Sequence, residues 1–110
     1  MIRRPQCSKS CGLHVASAAR RDLAILLATI LESAGARVAR RWRQRILGRV
    51  ALLTDQPHLG ATDDDLGPDR RRLVVAPYLV VYELDESGRA IILRIVHGAR
   101  DLPTLFDDLP

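Results

Sequence analysis

The sequence predicts an α+β domain, an α-helical hairpin packed on a three- to four-stranded antiparallel sheet in the order β-α-α-β-β-β. Three observations predict it. Apolar residues recur at three- and four-residue spacing through two consecutive stretches of the first half. Runs rich in Val, Leu, Ile and Tyr with a period of two fill the second half. A loop rich in Gly, Pro and Asp lies between them. The 110 residues suffice for one domain and leave no room for a second. With 47% apolar and 27% charged residues, the balance is that of a soluble globular chain, not a disordered one. Aromatics make up only 4%, so Leu, Ile, Val and Ala must fill the core.

Residues 1–12 read as a polar lead-in expected to be flexible. Within it Cys7 and Cys11, with His14 beyond, spell C-x3-C-x2-H, three candidate zinc ligands without a fourth. The expectation is therefore a reduced tail, with neither metal nor cofactor. Leu13-His14-Val15 is a short strand, and Ser17 is the expected N-cap of the first helix. Ala19, Leu23, Leu26, Leu27, Ile30 and Ala34 form that helix's apolar stripe, and Gly35 falls where a left-handed C-cap belongs. Val38, Trp42, Ile46, Val50 and Leu53 share one face of a second helix, opposite Arg37, Arg40, Arg41 and Arg45. The short link makes the two an antiparallel hairpin.

Pro57 ends helical character, and residues 54–69 read as a loop. Its Asp63-Asp64-Asp65 run is a solvated acidic segment, because adjacent carboxylates do not converge on one ion without a scaffold. Strands follow at 72–75, 78–84 and 90–97, joined by Ala76-Pro77 and by the hairpin loop Asp85-Glu86-Ser87-Gly88. On the second of these, Tyr78, Val80, Tyr82 and Leu84 share one face.

The net charge of +4 hides a segregation. Residues 1–49 carry +9, 50–69 carry −5, 70–100 carry +3 and the last ten carry −3. Such a distribution points to a basic surface that meets an anionic partner, nucleic acid or an acidic protein segment. Arg20-Arg21, the run 23–31 and Ala34-Gly35-Ala36 imitate a twin-arginine export signal. Yet Asp22 and Glu32 bracket the run, and a stretch of nine residues does not span a bilayer. The chain therefore reads as cytoplasmic, with no membrane partner.

Three basic features stand out. The arginine face of the second helix is either a solvated surface or a binding face. Arg70-Arg71-Arg72 opens a strand, where charge either protects a sheet edge or binds a partner. Arg94 lies inside an apolar strand and needs an anionic or carbonyl partner, internal (Glu83 or Asp101) or from a ligand. Alternation places Arg94 and His97 on opposite faces. No nucleophile elbow, phosphate loop or His-Glu-x-x-His motif occurs. Acid–base chemistry would fall to His58, His97, Tyr78 or Tyr82, with arginines holding phosphate.

Several of these pieces, in this order and spacing, are similar to the RelE/ParE family of type II toxin–antitoxin toxins, on the ParE-like side. They are Ala18-Ala19-Arg20-Arg21-Asp22-Leu23, Pro57-His58-Leu59-Gly60, Arg72-Leu73-Val74-Val75, Pro77-Tyr78-Leu79-Val80-Val81-Tyr82, and Ile92-Leu93-Arg94-Ile95-Val96-His97-Gly98-Ala99-Arg100-Asp101. The likeness covers about residues 13–105, leaving 106–110 as a tail and 1–12 without a family counterpart.

The resemblance implies a small toxin neutralised by a cognate acidic antitoxin in a hetero-oligomer. ParE-type members inhibit DNA gyrase and are not enzymes, whereas RelE-type members cut messenger RNA on the ribosome. The Pro-x-Leu-Gly loop and the His-Gly-x-Arg-Asp ending resemble the former. RelE-type nucleases often use lysines in mid-chain, and here the only lysine is Lys9. The implied partner-binding residues are Arg72, Arg94, His97 and Arg100, with no catalytic residue. In the alternative nuclease reading, Arg94 and His97 hold and protonate the scissile phosphate. A third reading is a basic nucleic-acid-binding module without toxicity.

Overall fold

The computed structural model describes residues 13–63, 66–67 and 69–98. The lead-in 1–12 with Cys7 and Cys11, the residues Asp64, Asp65 and Pro68, and everything after Gly98, including Arg100, Asp101 and the tail 106–110, lie outside the described residues.

Regular structure begins with β1 (Leu13–Val15), which turns directly into α1 (Ser17–Ala34). The N-cap position belongs to Ala16, in extended conformation, and not to Ser17, which is already helical. The reason lies in the strand. The Ala16 N–H donates to Ile92 O at 2.9 Å, so strand pairing continues up to the residue whose carbonyl accepts the first helical bond, from Arg20 N–H. No residue is left over to carry a side-chain cap.

Gly35 then joins α1 to α2 (Ala36–Ala51) at φ 94° and ψ 170°, a region essentially restricted to glycine. Its N–H donates to Leu31 O and its carbonyl accepts from Ala39 N–H, so one residue closes one helix and opens the next. A 3-10 turn, Leu52–Thr54, follows α2.

The remaining elements are β2 (Ala61–Thr62), β3 (Arg70–Val75), β4 (Tyr78–Leu84) and β5 (Ala90–His97). They form a five-stranded sheet in the order β1-β5-β4-β3-β2. The antiparallel expectation holds for β2 to β5 and is corrected at the other edge, where β1 runs parallel to β5. The stretch read wholly as loop also supplies β2, paired with Arg71 and Arg72. A two-residue segment such as β2 is too short to show a period, so only its pairing reveals it.

The helical hairpin covers one face of the sheet. Ala19 from α1 and Ile46 and Val50 from α2 pack with Leu53, Leu73, Val75, Val80, Tyr82, Ile92 and Ile95. Each buried Val, Leu or Ile among them contributes about 1.5–3 kcal/mol. Ala34, assigned to the helical stripe, is exposed. The opposite face is apolar too: Leu79, Val81 and Val96 are buried there with Leu66 from the loop before β3.

A bulge interrupts β5, because Val81 faces Arg94 while Tyr82 faces Ile92, leaving Leu93 without a cross-strand partner. The β4–β5 hairpin is closed by Asp85, whose carboxylate accepts from Ser87 N–H, Arg89 N–H and Arg89 Nε. Those bonds, that from the Arg89 backbone foremost, hold the carboxyl below the usual carboxylate range.

Candidate partner-binding site

The arginine triplet that opens β3 tethers the preceding loop. Arg70 donates to Leu66 O at 3.2 Å and approaches Glu83 at 4.0 Å. Arg71 donates to Gly60 O at 2.8 Å and to His58 O at 3.4 Å. Arg72 pairs with Asp63 at 3.4 Å, yet its side chain stays 44% exposed. Strand geometry explains the division of labour: three successive residues alternate across the pleat, so they reach different parts of the loop curled over the β3 edge.

Tyr82 completes that tether from beneath. Its ring is fully buried, its hydroxyl donates to Pro57 O at 2.8 Å, and it accepts from Gly60 N–H at 2.7 Å. The Pro57-His58-Leu59-Gly60 segment is thus pinned at both ends by one phenol. Burial pushes the Tyr82 hydroxyl above its ordinary pKa of 10.0, partly offset by the Gly60 hydrogen bond and the Arg71 charge.

A folded-state pKa above the unfolded one means that the fold holds the proton more tightly. The stability this contributes is complete below about pH 10 and is lost as pH rises through the folded value. Thermal melts between about pH 9 and 11 are therefore expected to fall more steeply for the natural chain than for Tyr82→Phe. Parallel slopes would rule out this coupling.

Arg94 has an internal partner, and it is neither Glu83 nor, among the described residues, any other acid of the sheet. It is Asp22 on α1. Arg94 Nε donates to Asp22 Oδ2 at 2.7 Å and Nη2 to Oδ1 at 3.1 Å, a bidentate pair. Oδ2 also accepts the Ile95 N–H at 3.0 Å. The carboxylate therefore takes up a strand-edge donor that β1 is too short to reach, since β1 pairs only with residues 90–92.

His97 ends β5 in a row of rings. Arg45 lies over Trp42 at 5.2 Å, Trp42 meets Tyr78 edge-on at 5.2 Å, and Tyr78 meets its cross-strand partner His97 edge-on at 5.6 Å. Register places His97 opposite Tyr78 and Arg94 opposite Val81, and those two residues belong to opposite faces, as alternation predicts.

Of the residues singled out in the sequence, the sheet thus sets Arg72 and Arg94 in one row on either side of Val81, and His97 on the other face. Arg100 lies outside the described residues. Of the acid–base candidates, Tyr78 and His97 are brought together, Tyr82 is committed to the loop, and His58 is exposed on it. Sequence reasoning missed Asp22, whose only signal was an acid interrupting a basic and apolar helix start. It also missed Trp42 and Arg45 as neighbours of the His97 end. Among the described residues, no cluster of three or more His, Cys, Asp or Glu could hold a metal, and no helix is long and apolar enough to cross a membrane.

A helical hairpin over a sheet of this topology is the fold of solved toxin–antitoxin proteins. The chain superposes on one from the chromosomal ParDE TA system of P. aeruginosa with a TM-score of 0.69 at 23% identity, covering 82% of this chain and 98% of that one. It superposes on one from the toxin–antitoxin complex RelBE2 of Mycobacterium tuberculosis with a TM-score of 0.51 at 20% identity, covering 77% and 94%. No curated protein matches. Residues 13–102 match the family described as the ParE toxin of the type II toxin-antitoxin system parDE, and the chain belongs to that family.

Proposed function

We propose that this protein is the toxin of a cytoplasmic type II toxin–antitoxin pair, held inactive by a small acidic antitoxin and inhibiting DNA gyrase by binding when freed. The ParE family match over residues 13–102 supports the toxin role, and the two solved neighbours, by their names parts of toxin–antitoxin assemblies, support an antitoxin partner. Exposed Arg72, the His97 end of β5 and Arg100 are the proposed contacts, through which a basic surface meets an acidic one.

One observation carries the choice of binding over messenger cleavage. The nuclease reading needs the Arg94 guanidinium to hold a scissile phosphate, but its Nε and Nη2 already rest on the Asp22 carboxylate. A bidentate carboxylate satisfies the charge that phosphate would otherwise attract. In this reading Arg94 serves the fold and no side chain is catalytic.

Purified toxin is expected to inhibit gyrase supercoiling, to be relieved by its antitoxin, and to leave ribosome-bound messenger intact. Ribosome-dependent cleavage with normal supercoiling would transfer the protein to the nuclease reading. If neither gyrase inhibition nor messenger cleavage appears and induced expression leaves growth untouched, both readings fail.

A further inference from the structure

Helix α2 carries six arginines in 16 residues, Arg37, Arg40, Arg41, Arg43, Arg45 and Arg49, and no acid. All six are exposed, and among the described residues none makes an ion pair. Like charges four residues apart on a helix repel, so the arrangement opposes folding unless an anion is bound.

Arg37, Arg41, Arg45 and Arg49 follow one another at four-residue steps, a row about 18 Å long at 1.5 Å per residue. One strand of a double helix carries a phosphate about every 3.4 Å of axis, so the row spans about five of them. The Trp42 ring beneath Arg45 fixes one of these guanidinium groups in place.

An acidic protein fits less well. A docked amphipathic helix needs an apolar seam to bury, and the apolar side of α2 is spent on the core, with Ile46 fully buried and Val50 4% exposed. All the charge that remains outward is cationic and carried by guanidinium groups, whose planar fork pairs with two phosphate oxygens at once.

We infer that the arginine face of α2 is a docking surface for the phosphate backbone of nucleic acid, engaged without regard to sequence. It goes beyond the proposed target and stands on the helix alone.

The test is fluorescence anisotropy of a labelled DNA duplex of about 20 base pairs with the full-length protein across a salt series. The natural chain is expected to bind with affinity falling steeply with salt. The variant Arg37→Gln/Arg41→Gln/Arg45→Gln/Arg49→Gln keeps helix propensity and should flatten the log–log salt slope by about 3 to 4 and weaken binding about 100-fold at low salt. Arg20→Gln/Arg21→Gln on α1 should bind as before. Circular dichroism confirms that each variant is folded.

An unchanged slope in the α2 variant, no binding by the natural chain, or displacement of the duplex by polyglutamate at equal charge overturns the inference. Gyrase inhibition without duplex binding would remove this inference and leave the proposed function. Duplex binding that depends on α2, with gyrase unaffected, would do the reverse.

Discussion

Gly60→Val is expected to lower the thermal midpoint by roughly 15–30 °C, the change that about 4 kcal/mol produces in a domain of this size. A Cβ at Gly60 would stand 2.7 Å from three atoms at once: the Arg72 carbonyl oxygen, Tyr82 Cε1 and the Tyr82 hydroxyl. Two of these are a strand backbone and a fully buried ring, so neither yields at low cost. Overpacking of this kind costs about 1–3 kcal/mol. Moving the loop away adds the loss of the Gly60 N–H bond to Tyr82 and the Arg71 bond to Gly60 O, and buried polar groups left unpaired cost about 1–3 kcal/mol more. Scanning calorimetry decides the matter. A midpoint within about 3 °C of the natural chain would mean that the phenol does not pin this loop.

That latch also marks where the sequence stops being legible. The helical hairpin can be read directly, because Leu23, Leu26 and Ile30 on one helix and Trp42, Ile46 and Val50 on the next recur at the helical period, with Gly35 between them. The β4 and β5 strands can be read from their composition and from the Asp85-Glu86-Ser87-Gly88 turn. What cannot be read is which distant elements meet. The parallel pairing of β1 with β5 joins Val15 to Ile92, and the phenol of Tyr82 reaches back to Pro57. Neither contact leaves a local periodic trace. The bulge at Leu93 shifts the inward set of β5 by one residue midway, so simple alternation over 90–97 misplaces its second half relative to its first.

The candidate site follows the same rule. The need of Arg94 for a counter-charge is evident from an arginine in an apolar strand, but the identity of that partner depends on how α1 crosses the sheet. Arg72 and Arg94 sharing a row is a matter of register.

Asp22→Ala is expected to destabilise the fold by about 3 kcal/mol, and Arg94→Met by only about 1. The asymmetry comes from what each change leaves behind. Without Asp22, the Arg94 guanidinium at 28% exposure loses that carboxylate, and the Ile95 N–H loses its acceptor on a strand edge that β1 does not reach. Without Arg94, the carboxylate still accepts from Ile95 N–H and keeps 15% of its surface in water. Partial exposure of both groups puts the first value at the low end for a broken buried pair. Urea denaturation of both variants and of the double variant isolates the coupling between the two side chains. Equal losses in the two single variants would mean that the Ile95 bond contributes nothing beyond the ion pair. The same set bears on the proposed mechanism: the Arg94→Met protein, assayed at a temperature where it is fully folded, should match the natural chain in the gyrase supercoiling assay, because the Arg94 guanidinium serves Asp22. Toxicity abolished in a folded Arg94→Met protein would instead place that guanidinium at the target.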